Sequence, residues 1–241
     1  MQQNEFLKAF IEDCKYYDLE NKELKNILKY VNLKNKSLLD IGAGIGRLSF
    51  PLAKYAKEVV ALEKDKRLAK YWKKHENKKV KFVNQSLESY AKKSKRRKFD
   101  IILLAWPTFD SKFIGLIKKF MHKESKFIFI TCDNNSDYEK TLSKLSNKKD
   151  FKKDIENKKK FIKILPKKFR LTKKRKIATY YKYPNEKIAF KINKNSLQLW
   201  FNTKVGKNIE DKLKKIIEEH KKNKQIIFQE EIYFYILKCK S

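Results

Sequence analysis

The chain has 241 residues, 41% of them hydrophobic and 13% aromatic, so it can bury a core despite its 37% of charged residues, and global disorder is excluded. No apolar run approaches the roughly 18 residues that cross a bilayer, which excludes a helical membrane protein. Basic residues outnumber acidic ones by 61 to 28, a formal net charge of +33. That excess has two readings. It suits a polyanionic partner such as nucleic acid, because lysine and arginine displace phosphate counterions. It also suits a bias of composition. Only six of the 61 are arginine, the residue whose planar fork grips phosphate bidentately, and Asn, Ile, Phe and Tyr are plentiful, as an AT-rich genome would write them.

In chain order, the opening MQQNEFLKAFIEDCKYY carries acids too early for a secretory leader. Leu24, Ile27, Leu28 and Val31 have the spacing of an amphipathic helix over 19–31. SLLDI (37–41) reads as a short buried strand opening onto a loop that holds three of the chain's five glycines, Gly42, Gly44 and Gly46. A helix is expected next, with Leu48, Leu52, Tyr55 and Ala56 on one face and Pro51 early in it, where a missing N–H is tolerated. EVVALE (58–63) is the second strand, and Leu68, Tyr71, Trp72 and His75 mark the following helix. VKFVN (80–84), FDIILLA (99–105) and KFIFIT (126–131) are the third to fifth strands, with helices near 86–93 and 111–121. This alternation, from 37 to about 146, predicts an α/β fold: a mostly parallel, doubly wound sheet with helices on both faces.

Beyond 150 the pattern changes. Residues 151–182 hold 14 Lys and Arg against Asp154 and Glu156, and an aromatic-rich stretch with Tyr180, Tyr181, Tyr183, Phe190 and Trp200 overlaps and follows them. Its secondary structure is not legible from periodicity. A helix bearing Ile209, Leu213, Ile216 and Ile217 and a strand-like IIFQEEIYFYILKC close the chain. There is no repeat and no Gly/Ser- or Pro-rich linker, so a single domain is expected. It divides into an N-terminal helical segment (1–36), a core (37–150), a basic and aromatic elaboration (151–206) and a terminal helix and strand (207–241). Cys14, Cys132 and Cys239 lie far apart and match no disulfide framework or metal spacing, which predicts free thiols in a cytoplasmic protein.

A strand that runs into a glycine turn and then a helix gathers N–H groups at the carboxyl edge of a sheet, where ligands of open α/β folds bind. The pattern here is not a P-loop, because Arg47 stands at the sixth position from Gly42 and no Lys-Ser/Thr follows. Nor is it the dinucleotide fingerprint, because Arg47 occupies the place of the third glycine. Asp40-Ile41-Gly42-Ala43-Gly44-Ile45-Gly46, with Glu63 ending the second strand 17 residues past Gly46, resembles the class I S-adenosylmethionine-dependent methyltransferases over roughly residues 36–146. The resemblance implies a Rossmann-like methyltransferase fold, S-adenosyl-L-methionine as cofactor, and methyl transfer as the reaction. It places the backbone of Gly42, Ala43 and Gly44 against the methionine part, with Asp40 supporting the loop and the amino group and Glu63 on the ribose hydroxyls. Gln85, with Ser86 beside it, falls where the family often has an acid for the adenine amino group. Ala105 and Trp106, at the end of the fourth strand, would face the sulfonium. Tyr16 and Tyr17 either close over the methionine end or simply pack.

The acceptor is less legible, and no catalytic residue is identified. Methyl transfer from a sulfonium is an in-line displacement that chiefly needs alignment. Enzymes acting on base amino groups carry an Asn/Asp-Pro-Pro-aromatic motif after the fourth strand. Ala105-Trp106-Pro107-Thr108 is not that motif, although LSFPLAKYAKEVVALEKDKRL (48–68) resembles the ribosomal RNA adenine dimethylases. Cys132 sits where uracil-5 RNA methyltransferases have their nucleophile, but their Asp-Pro-Pro partner is missing. His75, His122 and His220 are scattered on predicted helices, with surface positions expected. Segment 151–206 is the expected acceptor side, basic and aromatic enough for RNA, for a lid over a small molecule, or for plain packing. The reading is therefore a cytoplasmic methyltransferase of unidentified acceptor. Its alternatives are an inactive methyltransferase-like nucleic-acid-binding module and an RNA methyltransferase using the basic C-terminal segment.

Overall fold

The computed structural model describes residues 3–94, 97–108, 110–146, 148–200 and 202–240. Helices α1 (Gln3–Tyr16) and α2 (Lys22–Tyr30) precede β1 (Ser37–Ile41), α3 (Ser49–Leu52) and β2 (Glu58–Leu62). A 3-10 turn (Lys66–Leu68) runs into α4 (Ala69–Lys74), followed by β3 (Val80–Val83), α5 (Leu87–Lys93), β4 (Phe99–Ala105) and α6 (Lys112–Lys119). Then come β5 (Met121–Cys132), α7 (Asp137–Ser143), α8 (Lys148–Lys168), β6 (Phe169–Tyr183) and α9 (Glu186–Leu199). The chain closes with α10 (Lys207–Glu219), β7 (Lys221–Lys222) and β8 (Gln225–Cys239). Among the described residues, no helix is long and apolar enough to cross a membrane.

The strands form one sheet in the order β3-β2-β1-β4-β5-β8-β6, with β7 antiparallel to β8. β1 runs parallel to β2 and β4, β2 to β3, and β4 to β5. The order reverses between β1 and β4, and in such sheets the crevice beyond the carboxyl ends of the strands at that point is where ligands bind. The near-continuous apolar runs of β1 and β4 are the signature of strands buried on both faces. Leu39, Ile41, Val60, Leu62, Ile102 and Leu104 point to one face, packed with Leu87 and Tyr90 of α5, Ile114 and Ile117 of α6, and Phe161 and Leu165 of α8. Ala61, of opposite parity on β2, packs with Trp72 of α4, and Phe50, Val80 and Phe82 join them.

Contacts divide the chain into two compact units, each discontinuous in sequence. One comprises residues 23–131, 157–175 and 233–241 and holds β1 to β4 and nearly all of β5. The other comprises 1–22, 132–156 and 176–232 and is built around tyrosines. There the rings of Tyr138 and Tyr181 stack with centroids 4.0 Å apart, and Tyr183 meets Phe228 edge-on at 6.3 Å. Asp13 accepts hydrogen bonds from Ser196 Oγ (2.7 Å) and Trp200 Nε1 (3.2 Å).

Several local expectations are corrected. The helix after the glycine loop is only Ser49–Leu52, and Tyr55 lies beyond it, half exposed. β5 starts at Met121 rather than 126. Ser125 Oγ accepts from His122 N and donates to Phe99 O, stitching the polar HKES run onto β4, so His122 lies on a strand and not a helix. Among the roles left open for the aromatic stretch, Tyr181 and Tyr183 take packing: they share the inward face of β6 by strand alternation and are buried.

The loop after β1 shows why one glycine there is irreplaceable. Gly46 has φ +79, and an added Cβ would lie 2.6 Å from Phe50 Cε2 and 2.7 Å from Trp72 Cη2. Gly42 has φ +73, but a Cβ there meets nothing within 4 Å. Gly46→Ala is predicted to cost about 3 kcal/mol or more, strain plus overpacking, and Gly42→Ala about 1 kcal/mol, strain alone. Urea unfolding of the two variants checks this, and equal losses would contradict it.

Candidate active site

The glycine loop is sewn onto the end of β2. Gly42 N and Ala43 N both donate to Leu62 O, at 2.8 and 3.0 Å, and Gly46 N donates to Ala43 O at 2.8 Å. All three glycines have positive φ, with Gly44 at +57, a conformation that costs side-chain-bearing residues energy. Gly44 is held from both sides: its N–H donates to Glu63 Oε2 (3.0 Å) and its carbonyl accepts from Trp72 Nε1 (2.8 Å). Trp72 is in turn stacked on Phe82, centroids 4.8 Å apart.

Glu63 follows β2 and is buried. Its Oε1 accepts from Asp65 N at 2.8 Å, and its carbonyl accepts from Asn84 Nδ2 at 2.8 Å. A carboxylate offers about four lone-pair directions, so two backbone donors leave capacity on both oxygens for a diol. Asp40, the last residue but one of β1, is buried and accepts from Ser49 Oγ at 2.5 Å. Burial pushes its pKa up from 3.8 to about 6, against the Ser49 hydrogen bond and the charge of Arg47, which lower it, and with a further push from Glu63.

Gln85 presents a buried Oε1 with no hydrogen-bond partner. A buried unpaired acceptor costs free energy, so this atom is suited to a donor from a ligand such as an exocyclic amino group. Ser86 is differently employed: its Oγ accepts from Ser89 N and caps α5. The open space over Gly42, the diol capacity of Glu63 and the unpaired Gln85 oxygen are the features an adenosyl cofactor would use, and these residues fit it.

Ala105 ends β4 and Trp106 follows at φ +54, its N–H donating to Ile130 O at 3.0 Å. The Trp106 indole does not lie loose: Nε1 donates at 2.7 Å to Oε1 of Glu23, a fully buried carboxylate in the first turn of α2. The other oxygen of Glu23 accepts from Arg47 Nη2. Glu23, Arg47 and Trp72 were not anticipated as site residues. An acid beside the apolar stripe of α2 was the only local sign of Glu23, and its partner Trp106 lies 83 residues away.

The remaining candidates lie elsewhere or are otherwise occupied. Tyr16 and Tyr17 belong to the other unit, where Tyr17 bridges to Tyr181 and Tyr16 packs near Tyr183. Cys132 also belongs there, its Sγ 3.8 Å from Asn134 Oδ1, and none of the three cysteines forms a disulfide. His75 stacks on Tyr71, His122 Nε2 lies 3.4 Å from Asp100, and His220 Nε2 lies 3.1 Å from Asp137.

The raised pKa of Asp40 sets a pH dependence. A carboxyl raised in the fold contributes stability that is full below its unfolded pKa of 3.8 and is lost as pH rises through about 6. At neutral pH the ionised group therefore costs about 3 kcal/mol relative to acid. Urea titrations of wild type and Asp40→Asn from about pH 4 to about pH 8 should show the difference moving in the variant's favour with rising pH. A pH-independent difference would contradict the assignment.

Comparison with known proteins places this geometry. The model of the ribosomal RNA adenine dimethylase family matches residues 12–132. Over 50 residues the chain is 46% identical to a probable ribosomal RNA small subunit methyltransferase A of Methanosphaera stadtmanae, covering 20% of this chain and 18% of that protein. Over 59 residues it is 36% identical to the ribosomal RNA small subunit methyltransferase A of Wigglesworthia glossinidia brevipalpis, covering 24% and 23%. Each aligned stretch thus spans less than a quarter of the relative's length. Among solved structures, a candidate methyltransferase of Bacillus halodurans C-125 superposes with a TM-score of 0.60 at 14% identity, covering 92% of this chain and 100% of that one. The N-methyltransferase NodS of Bradyrhizobium japonicum WM9, in complex with S-adenosyl-L-homocysteine, gives 0.51 at 11% identity, covering 92% and 88%. At such identities the likeness is one of fold, the Rossmann-like methyltransferase fold. With the family model spanning just over half of its residues, the chain belongs to the ribosomal RNA adenine dimethylase family, within the class I S-adenosylmethionine-dependent methyltransferases.

Proposed function

We propose that this protein transfers a methyl group from S-adenosylmethionine to RNA. The observation that carries the cofactor half is Gly44, fixed by Glu63 and Trp72 beneath the open space over Gly42, at the point where the strand order reverses. The bound cofactor would supply an electrophilic methyl on sulfur. The chain's own part is to hold it: Glu63 accepting from the ribose hydroxyls, Gln85 Oε1 from the adenine amino group, and the loop backbone lying along the methionine part. Transfer then needs the acceptor aligned with the methyl, which is a matter of positioning.

RNA as the acceptor is supported by the family, by the names of the two relatives, and by the edge strand β6. Arg170 through Arg175 are exposed there. Lys173 Nζ lies 4.9 Å from the ring centroid of Tyr30, and Lys174 Nζ lies 5.0 Å from that of Tyr233. Basic groups over aromatic faces at a strand edge suit a phosphate backbone with bases beside it. Lys176 is different, because it is already neutralised by Glu231 (2.7 Å) and Asp133 (3.1 Å), whose contacts raise its pKa. The turn after β4 offers no carboxamide to orient a base amino group: Ala105 is a methyl, the Trp106 indole N–H is given to Glu23, and its backbone N–H to Ile130.

Two measurements check this. Methyl-labelled S-adenosylmethionine incubated with the protein and RNA should leave label in the RNA. RNA binding without label would favour the inactive binding module instead. Neutralising Lys173, Lys174 and Arg175 should flatten the dependence of log affinity on log salt by about 2, near 0.7 per phosphate contact on single strands. Lys176→Gln should leave the slope unchanged, and a slope unmoved by the triple variant would remove β6 from the interface.

A further inference from the structure

Glu23 does something that neither the family motif nor the cofactor contacts require. It stands in the first turn of α2, outside the strand-loop-helix unit, yet its side chain is fully buried and reaches both loops that flank the reversal of strand order. One oxygen takes Arg47, which closes the glycine loop after β1. The other takes the indole N–H of Trp106, which opens the turn after β4. β1 and β4 are neighbours in register, Ile41 beside Leu104, so these loops are the two lips of one crevice. Trp106 also holds φ +54, a conformation a tryptophan keeps only when its surroundings fix it. The backbone bond to Ile130 and the indole bond to Glu23 supply that fixation.

We infer that Glu23 is a positioning residue that locks the acceptor-side turn at Trp106 in register with the cofactor loop at Arg47. Its role in methyl transfer rests on the function proposed above, but its mechanical role does not. A buried carboxylate paired with a guanidinium and a charge-assisted indole bond is a directional link, costly to break on either side. It sets where the indole face stands and which way the Trp106 peptide points, and so how an incoming acceptor meets the methyl.

The test is acrylamide quenching of Trp106 fluorescence, isolated in each background by comparison with the same protein carrying Trp106→Phe. Glu23→Ala should raise the quenching rate of Trp106 several-fold and shift its emission to the red, with Trp72 unaffected. Glu23→Gln, whose amide oxygen can still accept the indole N–H, should quench as wild type does. If Glu23→Ala does not fold, Glu23→Asp takes its place: its carboxylate falls one methylene short of the indole and should loosen Trp106 while keeping the charge. Quenching that is unchanged in the shortened variants, or equally raised in Glu23→Gln, would overturn the proposal. Failure of wild type to bind S-adenosylhomocysteine would overturn the functional reading instead and leave the quenching result standing.

Discussion

The site depends on the way one peptide segment is pinned. Gly44 gives its N–H to Glu63 and takes the Trp72 indole on its carbonyl, while Gly42 and Ala43 both donate to Leu62. These bonds hold a loop with left-handed backbone at three alternate glycines, and they tie β1 to β2 beyond the end of their ladder. Trp72 is restrained by Phe82 and Phe50, so loop geometry is transmitted to the packing of α4 and β3. A loop built this way is shaped in advance, which would lower the ordering cost of binding a ligand there.

Electrostatics reinforce the arrangement. In a chain with a net charge of +33, three of its few acids, Glu23, Asp40 and Glu63, are buried around this loop. Each is held by hydrogen bonds: Glu23 by Arg47 and Trp106, Asp40 by Ser49, and Glu63 by two backbone amides. Burial of Asp40 raises its pKa, and Arg47 moderates that rise while also pairing with Glu23. Arg47 thus occupies the position that disqualified two other nucleotide-binding patterns and takes part in fixing both lips of the crevice.

Much of this core was legible because its signals are local. SLLDI and FDIILLA are continuous apolar runs, and their boundaries as strands match the structure. The three glycines identify a loop of positive φ because other residues pay for that conformation. What escaped has non-local causes. The polar start of β5 is stabilised by Ser125 bonding to Phe99, which no periodicity reveals. The lysine-rich 151–168 conceals a helix whose apolar residues, Phe161 and Leu165, bury against the sheet. Of the tyrosines after it, Tyr181 and Tyr183 alternate inward on a strand, which decides for packing among the roles that periodicity had left open. Glu23 was invisible for the same reason, since a polar residue beside the stripe of an amphipathic helix gains meaning only when Trp106 is folded against it.

If the loop after β1 is an adenosyl cofactor site gripped by Glu63, the folded protein should be stabilised by S-adenosylhomocysteine. The most direct measurement is thermal unfolding with S-adenosylhomocysteine, beside Glu63→Ala and an NADH comparison. At about a hundred times its dissociation constant, a ligand specific to the native state adds about 2.7 kcal/mol of stability, a readily visible shift. That shift is expected with S-adenosylhomocysteine, is expected to be lost in Glu63→Ala, and is not expected with NADH. No shift at saturating ligand, or an equal one with NADH, would contradict that reading of the loop.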